Sequence, residues 1–494
     1  MTDITPDLIV GQPGQNGQHA GPVEEEFDPD VRYRNTDQGM CNWLVDTHGH
    51  HMRYVVGLEW LTWESGVWHV DGKEAIRSRA FYADAVWSRA EAFAAQGADP
   101  DTVNRFLRNY ETDGKCKSVL RQTQPMLLAA HDDVNRDPRL LNCRNGVVDL
   151  RTKTLLSHDP GYLQTKQTPG DYVPWGDLPE EDTQRFTDFL RWACDEDDSL
   201  MRLVCRSAGY SLTGETSEEV LFLLFGTTRS GKSTLSEGLA SVLGYGYSGS
   251  LDATIITNSR NQRGNVDDKL ARVAGCRLVN CAEPPAGERF TEGLVKAVTS
   301  GDRMSAAFKF VTAFEFVPRW KIWISTTHTP GSEDRAVHRR LVFIPFRHTV
   351  PKHLEDSSLK EWIKDPHRGG RVLLSWAVEG AHGWYEEGLR YRDCAVAQEW
   401  MEMYEEDEDP VGAFLAQCVM RDVGDKNLWP GTKELYTAFE QWTWRERQTT
   451  KVIGFQRFNH QIEAAGLMRG KHPSNGKRVW RDIMIKVNPT TQSY

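Results

Sequence analysis

A glycine-rich loop between a strand pattern and a helix pattern constrains the fold of this chain more than any other feature. Residues 220–225 (VLFLLF) are apolar at every position, which is typical of a strand buried on both faces of a parallel sheet. The loop itself, residues 226–233, reads GTTRSGKS, and apolar residues recur at helical spacing between residues 235 and 243. This order of strand, loop and helix predicts an α/β fold.

The loop has the composition of a phosphate-binding loop. Gly226 and Gly231 allow the backbone to curl so that successive N–H groups face phosphate oxygens. Lys232 would reach the β- and γ-oxygens, and Ser233 would ligate Mg²⁺. A chance glycine turn is the alternative, but strand, loop and helix agree, so we predict a nucleoside triphosphate site. Its predicted residues are Gly226, Thr227, Thr228, Arg229, Ser230, Gly231, Lys232, Ser233 and Thr234.

Length and composition indicate an ordinary globular protein. The 494 residues suggest about three domains, and 39% of them are hydrophobic, enough for several cores. No apolar run approaches the roughly 20 residues of a membrane helix, and the N-terminus lacks the pattern of a signal peptide. The nine cysteines form no CxxC pair, so neither a disulfide framework nor a zinc module is indicated. We expect a cytoplasmic protein without a membrane partner.

Charge is distributed unevenly along the chain. The formal net charge is −11, yet residues 411–487 contain 13 Lys and Arg against 7 Asp and Glu, a net charge of +6 (13 − 7). Residues 1–30 and 401–410 are acidic and read as a tail and a linker. The basic segment suggests a polyanionic partner, whereas a solvated basic face over a tryptophan-containing core is an equally weighted alternative.

The segments before the loop differ in residue composition and in hydrophobic periodicity. Residues 31–75 are rich in Trp, Tyr and Val and suggest a small β-containing unit, whereas residues 78–135 read as helices, one of them over residues 119–131. A strand and turn follow at residues 140–150, and residues 186–212 predict a helical collar. The cluster of His48, His50 and His51 has no cysteine partner, so we interpret it as a polar turn rather than a metal site.

Polar side chains follow the later strand patterns. The second core strand ends in Glu283, where a nucleotide hydrolase places its metal-binding or water-orienting acid. The third strand ends at Thr327 and His328, and the fourth follows directly on Arg339 and Arg340. A guanidinium at a strand edge would reach the γ-phosphate held by a neighbouring subunit, as an arginine finger does. From spacing alone, a surface ion pair is the more common role of such an arginine.

From about Thr36 to Ile485 the chain resembles the C-terminal part of phage and plasmid primase-helicases. The motor of that family is a superfamily 3 helicase of the AAA+ class, related to the poxvirus uncoating-type NTPases. Beyond the phosphate loop, the resemblance is carried by Thr36-Asp37, 53–55 (RYV), Trp60, Trp63, Trp68, 145–150 (NGVVDL), 209–212 (GYSL), Lys296, 299–302 (TSGD), 314–318 (FEFVP), Asp334, 339–341 (RRL), 344–346 (IPF) and 376–389.

The resemblance implies a role for each motor residue. Lys232 would be the Walker A lysine, Ser233 the Mg²⁺ ligand of the same motif, and Glu283 the Walker B acid that also serves the metal. Arg340 would be the arginine finger that acts on a neighbouring subunit, with Arg339 as the second choice. ATP and Mg²⁺ are the expected ligands.

Three positions depart from the family pattern. Glu283 is a single carboxylate preceded by Cys281 and Ala282, so Mg²⁺ would be held mainly by Ser233, phosphates and water. Thr327 stands where the family presents an asparagine to the attacking water or the γ-phosphate, and its shorter hydroxyl would act through a water or with help from His328. The loop that grips DNA in the central channel corresponds to residues 306–313, where Lys309 and Phe310 are the expected contacts. One cation with aromatic stacking would bind the DNA strand more weakly than the cations that such channel loops usually carry.

The basic segment resembles the winged-helix ending of the same family. Residues 435–442 mark one helix and residues 455–465 another, which would enter a groove and present Arg457 and His460. Residues 470–481 would form the wing. The cations expected near phosphates in and beside this wing are Arg469, Lys471, Lys477 and Arg478.

These patterns predict an α/β protein built on an AAA+ P-loop core. The predicted divisions are a disordered acidic tail (1–30), an N-terminal α+β domain of the primase-helicase type (31–165), a helical collar (180–215), a superfamily 3 ATPase domain (216–350), a helical extension (351–400), an acidic linker (401–410) and a basic winged-helix DNA-binding domain (411–487).

The resulting hypothesis is an ATP-dependent DNA helicase that acts in phage or mobile-element replication as a hexameric ring with 3′ to 5′ polarity. Its expected partners are single-stranded and forked DNA, other copies of the chain, and a primase or polymerase on a separate polypeptide, because no primase site is visible. A replication initiator or loader that binds origin DNA without processive unwinding is the alternative. A P-loop kinase of a small metabolite is disfavoured by the basic terminal module and the paired arginines.

Overall fold

The structure is a computed structural model. It describes residues 32–257, 263–308, 313–351, 356–447 and 452–486. These residues form two compact units, one made of residues 32–63 and 69–131 and the other of residues 64–68 and 132–486. Within the described part of the chain, no helix combines the length and apolar character that crossing a bilayer requires.

The first unit is built on a four-stranded sheet and four helices. Strands β1 (Met52–Val55), β2 (Glu59–Glu64), β3 (Val67–Gly72) and β4 (Leu128–Ala129) lie in the order β3-β2-β1-β4. The helices are α1 (Asp37–His48), α2 (Ile76–Ala95), α3 (Pro100–Tyr110) and α4 (Asp113–Thr123). The unit combines strands with helices, and it ends at residue 131, whereas the predicted α+β domain extended to residue 165.

The helix predicted over residues 119–131 ends earlier than the sequence pattern suggested. Helix α4 stops at Thr123, and Leu128–Ala129 pair in parallel with β1. Pro125 has no N–H to continue the α-helical hydrogen bonds, and the chain instead passes through a short 3₁₀ helix at Gln124–Met126 before the strand.

The second unit begins with a small meander and the predicted collar. Strands β5 (Leu140–Cys143), β6 (Gly146–Asp149) and β7 (Thr154–Leu156) pair in antiparallel fashion. Helices α5 (Glu180–Ala193) and α6 (Asp198–Leu212) follow, and the Asp197 carboxylate caps α6 by accepting from the backbone N–H groups of Ser199 and Leu200.

A parallel sheet of five strands forms the centre of the second unit. Its strands are β8 (Leu221–Gly226), β9 (Ser248–Leu251), β10 (Leu278–Cys281), β13 (Lys321–Thr326) and β14 (Leu341–Phe346), in the order β14-β8-β13-β10-β9. All neighbouring pairs are parallel, so the carboxyl ends of the five strands meet along one edge.

Strand β8 is buried on both faces of this sheet. Phe222 and Leu224 face the core that contains α5, α6 and α7 (Lys232–Leu243), whereas Leu221 and Leu223 face a second core on the other side. Side chains alternate between the two faces of a strand, and helices cover both faces here. An unbroken apolar run is therefore required, as the sequence predicts.

Shorter elements surround the sheet. They are α8 (Arg263–Val273), α9 (Glu292–Thr299), the antiparallel pair β11 (Met304–Ala306) and β12 (Phe314–Phe316), and α10 (Arg335–His338). After β14 come α11 (Leu359–Lys364), α12 (Gly369–Glu387), α13 (Ala395–Glu408) and α14 (Pro410–Cys418).

The acidic segment 401–410 differs from its prediction as a linker. Residues up to Glu408 continue helix α13, and Pro410 begins α14. Tyr404 is buried against Phe343 of the sheet, with 5.6 Å between ring centroids. A helix with one aromatic face and one acidic face packs against a core, and composition alone did not reveal the aromatic face.

The C-terminal part contains two helices and short strands. They are β15 (Val419–Arg421), α15 (Thr432–Arg447), α16 (Phe455–Ala464), β16 (Arg469–Lys471), β17 (Arg478–Trp480) and β18 (Ile483–Ile485). β16 and β17 form an antiparallel hairpin, and β15 pairs with β18. Their shared core holds Phe414, Phe439, Phe458 and Trp480.

Candidate nucleotide-binding site

The glycine-rich loop leaves the sheet at the carboxyl end of β8 and enters the first residue of α7. Gly231 has a backbone φ of 93°, in the left-handed region that glycine tolerates best. Gly226 lies against β14, because a Cβ at this position would be 2.2 Å from the carbonyl oxygen of Phe346. Both glycines of the motif are therefore required by the shape of the loop.

A cleft of about 460 Å³ opens beside this loop. The loop residues 228–234 form one wall, and the carboxyl ends of β9, β10 and β13 supply the others. The first residues of α7 present backbone N–H groups here, and Gly231 provides no side-chain cap for them. Free N–H groups and the positive end of the helix dipole favour an anion such as phosphate.

Lys232 is buried and turned toward its own loop. Its Nζ donates to the carbonyl oxygens of Gly226 at 2.6 Å and Thr227 at 2.5 Å, and to Ser230 Oγ at 3.2 Å. Burial lowers the pKa of this amine, an effect that the carboxylate of Glu283 opposes. The amine is thus held at the base of the loop, where phosphate oxygens would be its natural acceptors.

Glu283 follows β10 by two residues and lies across the cleft from the loop. Its Oε1 accepts the backbone N–H of Thr327 at 2.6 Å and also accepts the Thr327 hydroxyl. The hydroxyl contact, helped by the backbone N–H contact, holds the pKa of Glu283 below its ordinary value, although burial acts in the opposite direction. An ionised carboxylate in the cleft can orient water or serve a metal ion.

The donor set fits Mg²⁺. Ser233 is exposed at the start of α7 and lines the cleft, and Glu283 lines the same cleft. Mg²⁺ prefers oxygen ligands and takes few of them from protein, since water and substrate phosphates supply the rest. A hydroxyl and one carboxylate are therefore sufficient.

The structure places the two arginines outside the cleft lining. Arg340 Nε donates to Thr299 Oγ1 at 3.1 Å, and its two terminal nitrogens donate to the carbonyl of Ala336 at 3.0 Å and to Glu219 at 2.7 Å. Arg339 is exposed, and within the described residues its guanidinium makes no hydrogen bond or ion pair. The two neighbouring arginines thus differ in their contacts within the chain.

Several polar residues near the loop were not predicted. Asn280 of β10 lines the cleft, and its Nδ2 donates to the carbonyl of Ser236 in α7 at 2.8 Å, which ties the strand to the helix. Thr349 meets Thr227 with 2.5 Å between hydroxyl oxygens. A polar residue within an otherwise apolar strand was the available signal for Asn280, whereas nothing in the sequence pattern indicated Thr349.

The predicted DNA-contacting residues fall into three groups. Lys309 and Phe310 lie outside the described residues. Arg457 of α16 forms an ion pair with Glu333, and Arg469 pairs with Glu463 at 2.9 Å. The remaining predicted contacts are exposed; they are His460, Lys471, Lys477 and Arg478.

Part of the chain matches a described sequence family. Residues 41–195 match the family "D5 N terminal like". Over 324 residues it is 25% identical to "Putative helicase L207/L206" of Acanthamoeba polyphaga mimivirus. That alignment covers 61% of this chain and 33% of the viral protein, so the chain spans about a third of the length of this relative.

Solved structures with partial similarity come from the NrS-1 C-terminal region. The A form apo structure has a TM-score of 0.45 and 12% identity, and the alignment covers 90% of this chain and 98% of that chain. A second apo structure of the same region has a TM-score of 0.35 and 13% identity, over 64% of this chain and 78% of that chain.

Proposed function

We propose that this protein is an ATP-dependent DNA helicase of the superfamily 3, AAA+ type that acts in the replication of a phage or another mobile element. The observation that carries the proposal is the cleft in which Lys232, Ser233 and Glu283 meet at the carboxyl edge of a parallel sheet. The D5 N-terminal-like region and the similarity to a protein named as a helicase support the same activity.

The roles of the cleft residues follow from their contacts. Oxygens of the bound triphosphate replace the carbonyls of Gly226 and Thr227 as acceptors for Lys232. Backbone N–H groups at the start of α7 donate to the phosphates, and Glu283 orients the attacking water. Mg²⁺ held by Ser233 and Glu283 would neutralise charge on the phosphate oxygens.

The arginine finger is assigned to Arg339 in this proposal. Arg340 is engaged by three groups of its own subunit, among them the carboxylate of Glu219 at 2.7 Å. Arg339 is exposed and keeps its guanidinium available for a phosphate of a neighbouring subunit. In this proposal the protein forms a ring in which each ATP lies between two copies of the chain, and Arg339 of one copy acts on the ATP of the next.

The C-terminal helices and hairpin are assigned to DNA. Exposed cations at Lys471, Lys477 and Arg478 cluster on or beside the β16–β17 hairpin, and His460 lies on the exposed side of α16. Such cations bind phosphates without reading sequence, which suits an enzyme that moves along a strand.

The test is strand displacement from a forked DNA with a 3′ tail in the presence of ATP and Mg²⁺. We expect the wild-type protein to displace the strand and Lys232→Ala to bind DNA equally well without displacing it. Lys117→Ala, on an exposed face of α4, is the matched control and should unwind normally. A fork carrying only a 5′ tail should remain closed if the polarity is 3′ to 5′.

Two outcomes would change the assignment. If the wild type hydrolyses ATP and binds duplex DNA but opens no fork, an initiator or loader replaces the helicase. If Lys232→Ala hydrolyses ATP as fast as the wild type, the cleft beside α7 is not the catalytic site.

A further inference from the structure

A hydrogen-bonded chain leads away from Glu283 through Thr327 to His328. Thr327 Oγ1 contacts Glu283 Oε1 on one side and lies 2.9 Å from His328 Nδ1 on the other. Three side chains from the ends of β10 and β13 are thereby connected in series.

The protons in this chain can be assigned from the chemistry of its members. An ionised carboxylate only accepts hydrogen bonds, so the single hydroxyl proton of Thr327 is directed to Glu283. The oxygen of that hydroxyl then has no proton left for His328, and the short contact requires His328 Nδ1 to carry the donated proton. The direction of donation is therefore from His328 to Thr327 and from Thr327 to Glu283.

The backbone holds His328 in place for this contact. The hydroxyl of buried Thr326 donates to the carbonyl oxygen of His328 at 2.6 Å and accepts its backbone N–H at 3.0 Å. The ring itself is exposed. Its position thus comes from the turn after β13 rather than from packing around the imidazole.

His328 lies on the far side of Thr327 from the phosphate cleft. Thr327 and Thr228 line both that cleft and a neighbouring one of about 660 Å³, whereas His328 lines only the neighbouring one. A side chain in that position touches Glu283 only through Thr327.

We propose that His328 is a positioning residue that fixes the Thr327 hydroxyl on Glu283 Oε1 and so leaves the second carboxylate oxygen for the reaction. Oε1 accepts both the N–H and the hydroxyl of Thr327, and within the described residues Oε2 accepts no hydrogen bond. The hydroxyl of a threonine rotates freely unless something holds it, and the imidazole N–H supplies that hold. The role in hydrolysis rests on the proposed function.

The first test measures ATP hydrolysis. His328→Ala should lower kcat by about tenfold, the effect of one lost hydrogen bond, and change KM by less than about twofold. His328→Asn should retain most of the activity, because its amide N–H can donate from a similar position. In a Thr327→Val background, His328→Ala should have no further effect, and an undiminished tenfold loss there would overturn the proposal.

The second test does not depend on hydrolysis. Protein labelled with ¹⁵N-histidine, with the His328 signal identified by its absence from His328→Ala, should show Nδ1 protonated in the wild type. Thr327→Val should shift that signal toward the Nε2–H form found in exposed histidines. An Nε2–H tautomer in the wild type would overturn the hydrogen-bond chain even if the enzyme is active. The Nδ1–H form in an inactive wild type would keep the chain and reject the helicase.

Discussion

Gly209 of α6 lies directly against the backbone of Ala381 in α12. A Cβ on Gly209 would be 1.9 Å from the Ala381 amide nitrogen, and a Cβ on the adjacent Gly380 would be 1.9 Å from the carbonyl oxygen of Cys205. The two helices share a core with Phe222 and the phosphate-loop helix α7. This close backbone packing of α6 and α12 therefore stabilises the helical layer that covers the sheet beside the candidate site.

Gly380→Ala should destabilise the protein by several kcal/mol, since its methyl group meets backbone that cannot move independently. Gly383→Ala is the control on the same helix, because its nearest neighbour is the Arg206 side chain at 3.8 Å. That substitution should be neutral or stabilising by about 0.5 to 1 kcal/mol through helix propensity. Urea unfolding of both variants measures the difference, and equal loss in both would contradict the close approach.

Arg339 and Arg340 should respond differently to alanine. Arg339→Ala should lower ATP hydrolysis by at least about a hundredfold and leave the melting temperature unchanged. Arg340→Ala should lower the melting temperature, because it removes contacts to Thr299, Ala336 and Glu219.

Mixed rings separate action between subunits from action within one. Lys232→Ala and Arg339→Ala are each expected to be inactive alone, but a mixture would form some interfaces that combine an intact Lys232 with an intact Arg339. Hydrolysis regained on mixing supports a finger that acts across the interface. A mixture as inactive as its components would assign Arg339 to its own subunit.

Lys321 predicts how stability depends on pH. Its buried Nζ donates to the carbonyl oxygens of Thr213, Glu215 and Arg319, and burial, reinforced by the charge of Arg277, lowers its pKa well below the ordinary 10.5. Between the lowered pKa and 10.5, the native state binds fewer protons at this amine than the unfolded chain. Unfolding then takes up a proton, so stability rises with pH across that window, and below the lowered pKa both states hold the proton and this contribution no longer changes with pH.

The measurement for Lys321 is the urea midpoint at about pH 7.5 and about pH 9.5. The wild type should gain more from the higher pH than Lys321→Met, which has no amine to titrate. Lys471→Met, at an exposed lysine, should follow the wild type. A gain of equal size in the wild type and Lys321→Met would assign the pH dependence to other groups.

Glu333 should compete with DNA for Arg457. The pair joins α16 to the segment before α10, and Glu333 also contacts Arg289 at 3.3 Å. Glu333→Gln should raise the affinity for DNA by up to about fivefold at low salt, the range of an exposed ion pair, and the gain should vanish at high salt. Glu463→Gln, which frees Arg469 within the C-terminal part, is the matched comparison in a fluorescence anisotropy titration. Unchanged affinity in Glu333→Gln would remove Arg457 from the DNA contacts.

The central sheet could be predicted because its signal is local. Burial on two faces requires the apolar run at residues 220–225, and backbone geometry requires the glycines of the loop. Each pattern can be recognised from a few consecutive residues. The positions of Glu283 and Thr327 at the carboxyl edge of the sheet could be predicted for the same reason, since each lies just after a strand pattern.

What the sequence did not reveal depends on partners that are distant along the chain. The preference between Arg339 and Arg340 depends on Glu219, which lies 121 residues before Arg340. The helical nature of residues 401–408 depends on an aromatic face that packs against β14, and the acidic composition concealed it. Tertiary contacts of this kind override local composition.

In the proposed nucleotide site, the hydrogen bonds from Lys232 to its own loop would compete with a triphosphate for the same amine. A triphosphate would have to displace the amine from the carbonyls of Gly226 and Thr227 before gaining it as a partner, so its affinity would be a difference between two sets of bonds of similar kind. A ligand with several anionic oxygens would recover that cost more fully than a neutral or singly charged molecule. The loop would thereby favour polyanions at the binding step, before any chemistry begins.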